Sequence, residues 1–182
     1  MKLSKTSREH KEKALKQVRF GLLTISTSRY DKKKRGAPFT DASAEVAERI
    51  LTASGHKVVI RKVVSDDSEM IQEGICQMVS VCEVDAVLGM GGTGITPTDV
   101  TVETVAPLFE KELQGFGEAF RRISYDEIGG AAIVSRCIAG IMRGKVVFCL
   151  PGSPQAVETA LEKLIVPEVG HILVHARAQD SR

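Results

Sequence analysis

Four strand-length apolar runs in this chain each end in a cluster of Gly, Ser, Thr or Asp, and each leads towards a segment of helical pattern. No other feature limits the possible folds so tightly. The runs are residues 18–26, Lys57–Val64, residues 84–90 and Lys145–Leu150. Their richness in Val, Leu and Ile suits strands covered on both faces. Between them, Asp41 can N-cap a helix with Val46, Ala47, Ile50 and Leu51 on one face, closed by Gly55. Residues 69–81 fit a helix after the turn Ser65-Asp66-Asp67-Ser68. A helix starting at Asp99 or Thr101 runs through Phe109, and another reaches Tyr125. Residues 131–142 are apolar and helical in character. Residues 154–165 carry Val157, Ala160, Leu161, Leu164 and Ile165 on one stripe, and Pro167 is expected to interrupt that helix before a last turn at 171–175. Residues 26–41 read as a polar loop. Strands alternating with helices predict βαβ units in a three-layer α/β/α sandwich with a mostly parallel central sheet. Ligands in such folds bind at the carboxyl ends of strands, which directs attention to residues 26–30, 65–68, 89–99 and 151–154.

Composition narrows the class. A length of 182 residues suits one domain with a core that needs no disulfide. We expect a basic tail over residues 1–17 and a single domain over 18–182. No apolar run approaches the roughly 18 residues of a membrane span. The start of the chain is charged from Lys2 onward and lacks the apolar stretch of a secretory signal. Cys76, Cys82, Cys137 and Cys149 form no CxxC pair and sit in apolar segments, which suggests reduced, buried thiols and a cytoplasmic protein. The net charge of +2 divides unevenly. Residues 1–35 hold 12 Lys/Arg against 3 Asp/Glu, and residues 36–182 hold 13 against 20. The basic leader reads as a solvated tail plus the polar loop Asp31-Lys32-Lys33-Lys34-Arg35, which can also draw in an anionic small substrate. Nucleic-acid binding is not expected: aromatic residues are 4%, leaving no platform for stacked bases.

Gly89-Met90-Gly91-Gly92-Thr93-Gly94 matches the GxGxxG spacing of dinucleotide sites, but the context is wrong. It follows the third strand, and Ile95-Thr96-Pro97 keeps the chain extended where a helix would have to open. No Lys follows to make a phosphate loop of the GxxxxGK[ST] kind. Successive glycines do let backbone N–H groups approach a phosphate or the polar edge of a heterocycle, with the Thr93 hydroxyl beside them; a tight strand exit without a ligand uses the same residues. Asp99 is either an N-cap or a carboxylate for a divalent cation or a hydroxyl. Asp66 and Asp67 offer turn chemistry or metal and acid–base work. Leu150-Pro151-Gly152-Ser153-Pro154 suits a strand-to-helix turn, and the same geometry makes an anion site. None of His10, His56, His171 and His175 is read as pairing with a Cys or carboxylate at metal spacing, and they read as surface or packing residues. The GxSxG elbow is absent.

The run Gly91-Gly92-Thr93-Gly94-Ile95-Thr96-Pro97-Thr98-Asp99-Val100-Thr101 resembles the signature of the MoaB/Mog family of molybdenum-cofactor proteins. Gly115-Phe116-Gly117-Glu118 with Arg121, then Ser135-Arg136, then Leu150-Pro151-Gly152-Ser153-Pro154 are similar to its later motifs, in the same order. The resemblance spans roughly residues 20–170 and is strongest to the MoaB-type branch. It implies a molybdopterin adenylyltransferase, which uses Mg-ATP to adenylylate the pterin phosphate before molybdenum or tungsten insertion. A non-catalytic molybdopterin-binding or assembly protein of the same family is the alternative. By motif, the resemblance gives Asp66 and Asp99 catalytic and Mg²⁺-binding roles. It places Ser26, Thr27, Gly91, Gly92, Thr93, Gly94, Thr96, Ser135, Pro151, Gly152 and Ser153 around the substrates. Asp41 and Ser43 resemble a further Asp-x-Ser element; Ala44 stands where many members have Gly, and Ser65 where many have Pro. The resemblance also implies a homo-oligomer, trimeric or hexameric.

Overall fold

A computed structural model describes residues 15–178. The strands are β1 (Arg19–Ile25), β2 (Lys57–Val64), β3 (Ala86–Met90), β4 (Lys111–Glu112), β5 (Ile138–Met142) and β6 (Lys145–Leu150). They form one sheet in the order β2-β1-β3-β6-β5-β4. The first four in that order run parallel, and β5 and β4 continue the sheet by antiparallel pairing. The helices are α1 (Thr27–Lys34), α2 (Ala42–Ala53), α3 (Ser68–Ser80), α4 (Thr101–Val105), α5 (Gln114–Ile128), α6 (Pro154–Ala160) and α7 (Val166–Arg177). This is the expected three-layer sandwich with a mostly parallel sheet.

The three central strands are buried on both faces, and their side chains alternate between two cores, as a period of two requires. Phe20, Leu22, Ala86, Leu88, Met90, Val146, Phe148 and Leu150 face the core covered by α2, α5, α6 and α7. Leu23, Ile25, Val87, Val147 and Cys149 face the core covered by α3 and α4. Cys137 and Cys149 are buried as expected, and burial pushes both thiols up to about 12. Cys76 is half-buried and Cys82 exposed, so the expectation of four buried thiols fails for those two. His56 is a packing residue: its Nδ1 accepts the Val18 N–H at 3.2 Å, its ring lies against Phe20, and burial lowers its pKa. Of the expected basic tail, residues 1–14, with His10, lie outside the described residues.

Three segments differ from the sequence reading, each for a physical reason. The polar loop after β1 contains α1, a helix with no buried residue and no side-chain bond from its own N-cap, Ser26. Its first N–H is taken instead by Asp66, 39 residues away, so no local pattern announces it. Residues 131–142 are not helical throughout: a 3₁₀ turn, Gly129–Val134, leads to β5. β5 and β6 are joined by Arg143 and Gly144, at φ 51° and 68°, a two-residue hairpin turn whose backbone twist matches the strands. A short apolar run cannot be told from a buried helix by periodicity. Pro167 does not interrupt the last helix. The chain stays helical from Pro154 to Arg177, with one wider turn at Leu161–Ile165. Lys163, whose carbonyl a proline at 167 would obstruct, lies within that turn. Burying Ile165, Val169 and Leu173 favours continuation by more than the roughly 3 kcal/mol that a proline costs a helix.

At the amino ends of the parallel strands, buried Asp85 ties the frame together. Arg19 donates to its carboxylate from Nε at 2.8 Å and from its backbone N–H at 3.0 Å, and Arg177 of α7 donates at 2.7 Å. Burial pushes the Asp85 carboxyl upward, but the bonds from Arg19 and Arg177 outweigh it and hold the group well below the usual carboxylate range. Asp85→Asn is expected to cost about 1–3 kcal/mol in urea unfolding at pH 7. Because the folded pKa is the depressed one, the gap between the two proteins should be full above the ordinary Asp value near 4 and close as the pH falls below it.

Candidate active site

Because β1, β2, β3 and β6 are parallel, their four exits emerge on one side of the sheet. The strand order reverses beside β1, which makes this the switch point where α/β folds bind ligands. The exit of β3 lies against the ends of β1 and β6. Gly91 donates its N–H to Leu150 O at 3.0 Å, and the Thr101 hydroxyl donates to Gly91 O at 2.9 Å. At φ 119° a side chain on Gly91 would run into the Ile25 carbonyl oxygen, so glycine is required. Gly92, at φ 62°, carries the chain on, and Thr101 N–H returns to Gly92 O at 3.0 Å. Among the described residues, the N–H groups of Gly92 and Thr93 have no acceptor. The turn Pro151-Gly152-Ser153 lies against this loop, with Gly91 Cα 3.3 Å from where a Gly152 side chain would begin. The expected Asp-x-Ser element locks that turn. Asp41 N-caps α2 and accepts the buried Thr24 hydroxyl at 2.6 Å, and Ser43 Oγ donates to Gly152 O at 2.6 Å. Ser153 N-caps α6 through Ala156 N–H.

Asp66 and Asp99 stand on either side of the glycine loop. Asp66 Oδ1 is 3.3 Å from the side-chain position of Gly92, and Asp99 Oδ2 is 2.7 Å from that of Gly94. Each carboxylate is oriented by a threonine. Thr27 donates its N–H and hydroxyl to Asp66 Oδ2 at 2.7 and 2.9 Å. Thr96 donates both groups to Asp99 Oδ2 at 2.8 and 2.6 Å. Asp99 is therefore not the N-cap of α4, a position Val100 occupies. The Thr96 hydroxyl, against a smaller opposing effect of burial, holds the Asp99 carboxyl below the usual range. Asp99 also draws on the Gly94 backbone N–H, and Asp66 Oδ1 has no hydrogen bond among the described residues.

A cavity of about 350 Å³ opens beside Asp99. Gly92, Thr93, Gly94, Ser135, Pro151, Gly152 and Ser153 line it, together with Phe120, Ser124 and Ile128 of α5. Asp66, Ser26, Thr27, Gly91 and Thr96 lie outside that lining. Thr27 and Thr96 spend their hydroxyls on the two aspartates, and Gly91 is consumed by packing. The α5 wall went unseen in the sequence reading; Phe120 and Ser124, four apart on one helix face, were its available signal. Ser135 Oγ is buried beside the Cys137 thiol, a weak partner, and makes no other hydrogen bond among the described residues. A buried hydroxyl left so is costly unless something else bonds it. Among the described residues no group of three or more His, Cys, Asp or Glu is placed to hold a metal ion.

Comparison with known proteins agrees with this geometry. The family described as "Probable molybdopterin binding domain" matches residues 21–171. "Molybdenum cofactor biosynthesis protein B" of Bacillus cereus is 45% identical over 172 residues, covering 94% of this chain and 98% of that protein. "Molybdopterin adenylyltransferase" of Pyrococcus furiosus is 42% identical over 173 residues, covering 93% and 97%. Among solved structures, the tungsten cofactor synthesizing protein MoaB from Pyrococcus furiosus superposes with a TM-score of 0.79 at 41% identity, over 91% of this chain and 100% of that one. Ser135→Ala is expected to leave stability in urea unchanged, or to raise it by about 1 kcal/mol, since it removes a buried hydroxyl bonded only weakly, to a thiol. A loss of that size would show the hydroxyl more strongly bonded within the protein.

Proposed function

The chain belongs to the molybdopterin-binding domain family, and on that premise we propose that it acts in molybdenum cofactor biosynthesis as a molybdopterin adenylyltransferase. The observation that carries this reading is the pair Asp66 and Asp99, each fixed by a threonine, on opposite sides of a glycine loop that opens into a partly apolar cavity. The pterin phosphate attacks the α-phosphorus of ATP, the α–β linkage breaks, and pyrophosphate leaves. A phosphate near pH 7 is already nucleophilic, so the reaction needs positioning and charge neutralisation more than a strong base. That suits a site without a histidine.

This chain's own residues supply the positioning. Gly92, Thr93 and the turn at Gly152-Ser153 line the cavity, and their backbone amides are suited to an anionic group. Phe120 and Ile128 give the wall an apolar side for the pterin. The aspartate donor set fits Mg²⁺, which is commonly held by one or two carboxylates plus substrate phosphates. When bound, the ion would neutralise charge building on the transferred phosphoryl group. α1 places Arg29, Lys32, Lys33 and Lys34 just after the Thr27 that holds Asp66, a cationic surface to draw in polyphosphate.

The family resemblance supports a trimer or hexamer, which light scattering reads directly. Among the described residues no helix is long and apolar enough to cross a membrane, and a cytoplasmic location is our reading. The deciding assay incubates the purified protein with molybdopterin, ATP and Mg²⁺ and measures adenylylated product. No product beside an active control would favour a pterin-binding protein without catalysis. Asp99→Asn is expected to abolish product while pterin affinity stays within a few fold, since the carboxylate acts on the phosphoryl group rather than the ring. Full turnover in that variant would overturn the assignment.

A further inference from the structure

The segment 94–99 leaves the site with its residues Ile95, Thr96, Pro97 and Thr98 exposed, yet it carries Asp99. Its hydrogen bonds among the described residues are internal, save those from one side chain. Arg136, on the strand entry after the 3₁₀ turn, donates Nε to Gly94 O at 2.7 Å and Nη2 to Asp99 O at 3.0 Å. It thus binds the first and last carbonyls of the segment at once. The remaining face of the guanidinium meets Glu103 of α4, through Nη1–Oε1 and through Nη2–Oε2 at 3.3 Å.

We propose that Arg136 is a positioning residue for the adenylyl transfer, a planar clamp that closes the segment 94–99 and so fixes the Asp99 carboxylate over the glycine loop, with Glu103 aiming the clamp. This rests on the adenylyltransferase reading above. Two features separate the role from direct phosphate binding. The Arg136 charge is answered by Glu103, and its donors are spent on carbonyls of the segment that carries Asp99. Arg136 also does not line the cavity, whereas its neighbour Ser135 does. A guanidinium serves such a site because one rigid plane presents donors to two carbonyls and a carboxylate together. A lysine carries the same charge but no fork.

The test compares the unmodified protein with Arg136→Lys and Glu103→Gln by steady-state adenylylation and by hydrogen exchange of the peptide spanning residues 94–99. Arg136→Lys should lower kcat by about 10–100-fold, the usual loss when a residue orienting a functional group is removed, with KM for ATP and molybdopterin little changed. Glu103→Gln should give a smaller fall of the same kind. Exchange in the segment should quicken in both while the rest of the chain keeps its protection. If Arg136→Lys keeps full kcat, or raises KM for ATP with kcat intact, Arg136 is a charge for the substrate and the clamp is overturned. If both variants lose protection throughout the chain, the role is general stability and the proposal also fails. An unmodified protein that makes no product overturns the adenylyltransferase reading instead. Exchange in the segment then still decides whether the clamp exists.

Discussion

The close approach of the β3 exit to its neighbours governs everything else at the active end of this fold. Gly91 lies against the last carbonyl of β1, bonds the last carbonyl of β6, and accepts the Thr101 hydroxyl. Any side chain there would lift the loop off the strand ends. Because the loop lies against those strand ends, residues of the turns after β2 and β6 reach it. Gly152 comes to within van der Waals range of Gly91, Asp66 reaches Gly92, and Asp99 folds back over Gly94. A parallel sheet gathers the exits on one side; the glycine contact converts that gathering into a shared site.

The carboxylates show how the chain holds negative charge in place without pairing it directly with a cation. Asp66 receives the first N–H of α1 and the hydroxyl of Thr27, and so caps a helix that cannot cap itself. Asp99 receives both donors of Thr96, and Arg136 closes the backbone around it. Hydroxyl and amide donors orient each carboxylate without neutralising its charge. The opposite end of the sheet follows a different logic: Asp85 is fully committed to Arg19 and Arg177, which fasten β1, β3 and α7 where no ligand enters.

Much of this was legible in the residues. The parallel strands, the Asp41 cap, the helix after Asp67 and the β6 turn all follow local rules, because capping residues, glycine punctuation and apolar period act over a few positions. Asp66, Asp67 and Asp99 were legible as carboxylates after strand exits, but local rules left their use open, and the choice of Asp66 and Asp99 rested on the resemblance of their motifs. What escaped was held from a distance. α1 depends on a carboxylate 39 residues away. β4, two exposed residues, exists because β5 offers it an edge. The last helix passes Pro167 because three buried side chains outweigh the local penalty.

By itself, then, the sequence determined which segments are strands and helices wherever burial and capping are local, and which turns carry glycine, threonine and aspartate. The tertiary structure decided which of those groups meet and what each one does. It made Thr27 and Thr96 the holders of two carboxylates rather than lining residues of the cavity, brought α5 in as a wall, and buried the Ser135 hydroxyl beside the Cys137 thiol. The reason is physical. A side chain's type is fixed by the chain, but its hydrogen-bond partner is fixed by which elements the two cores bring together.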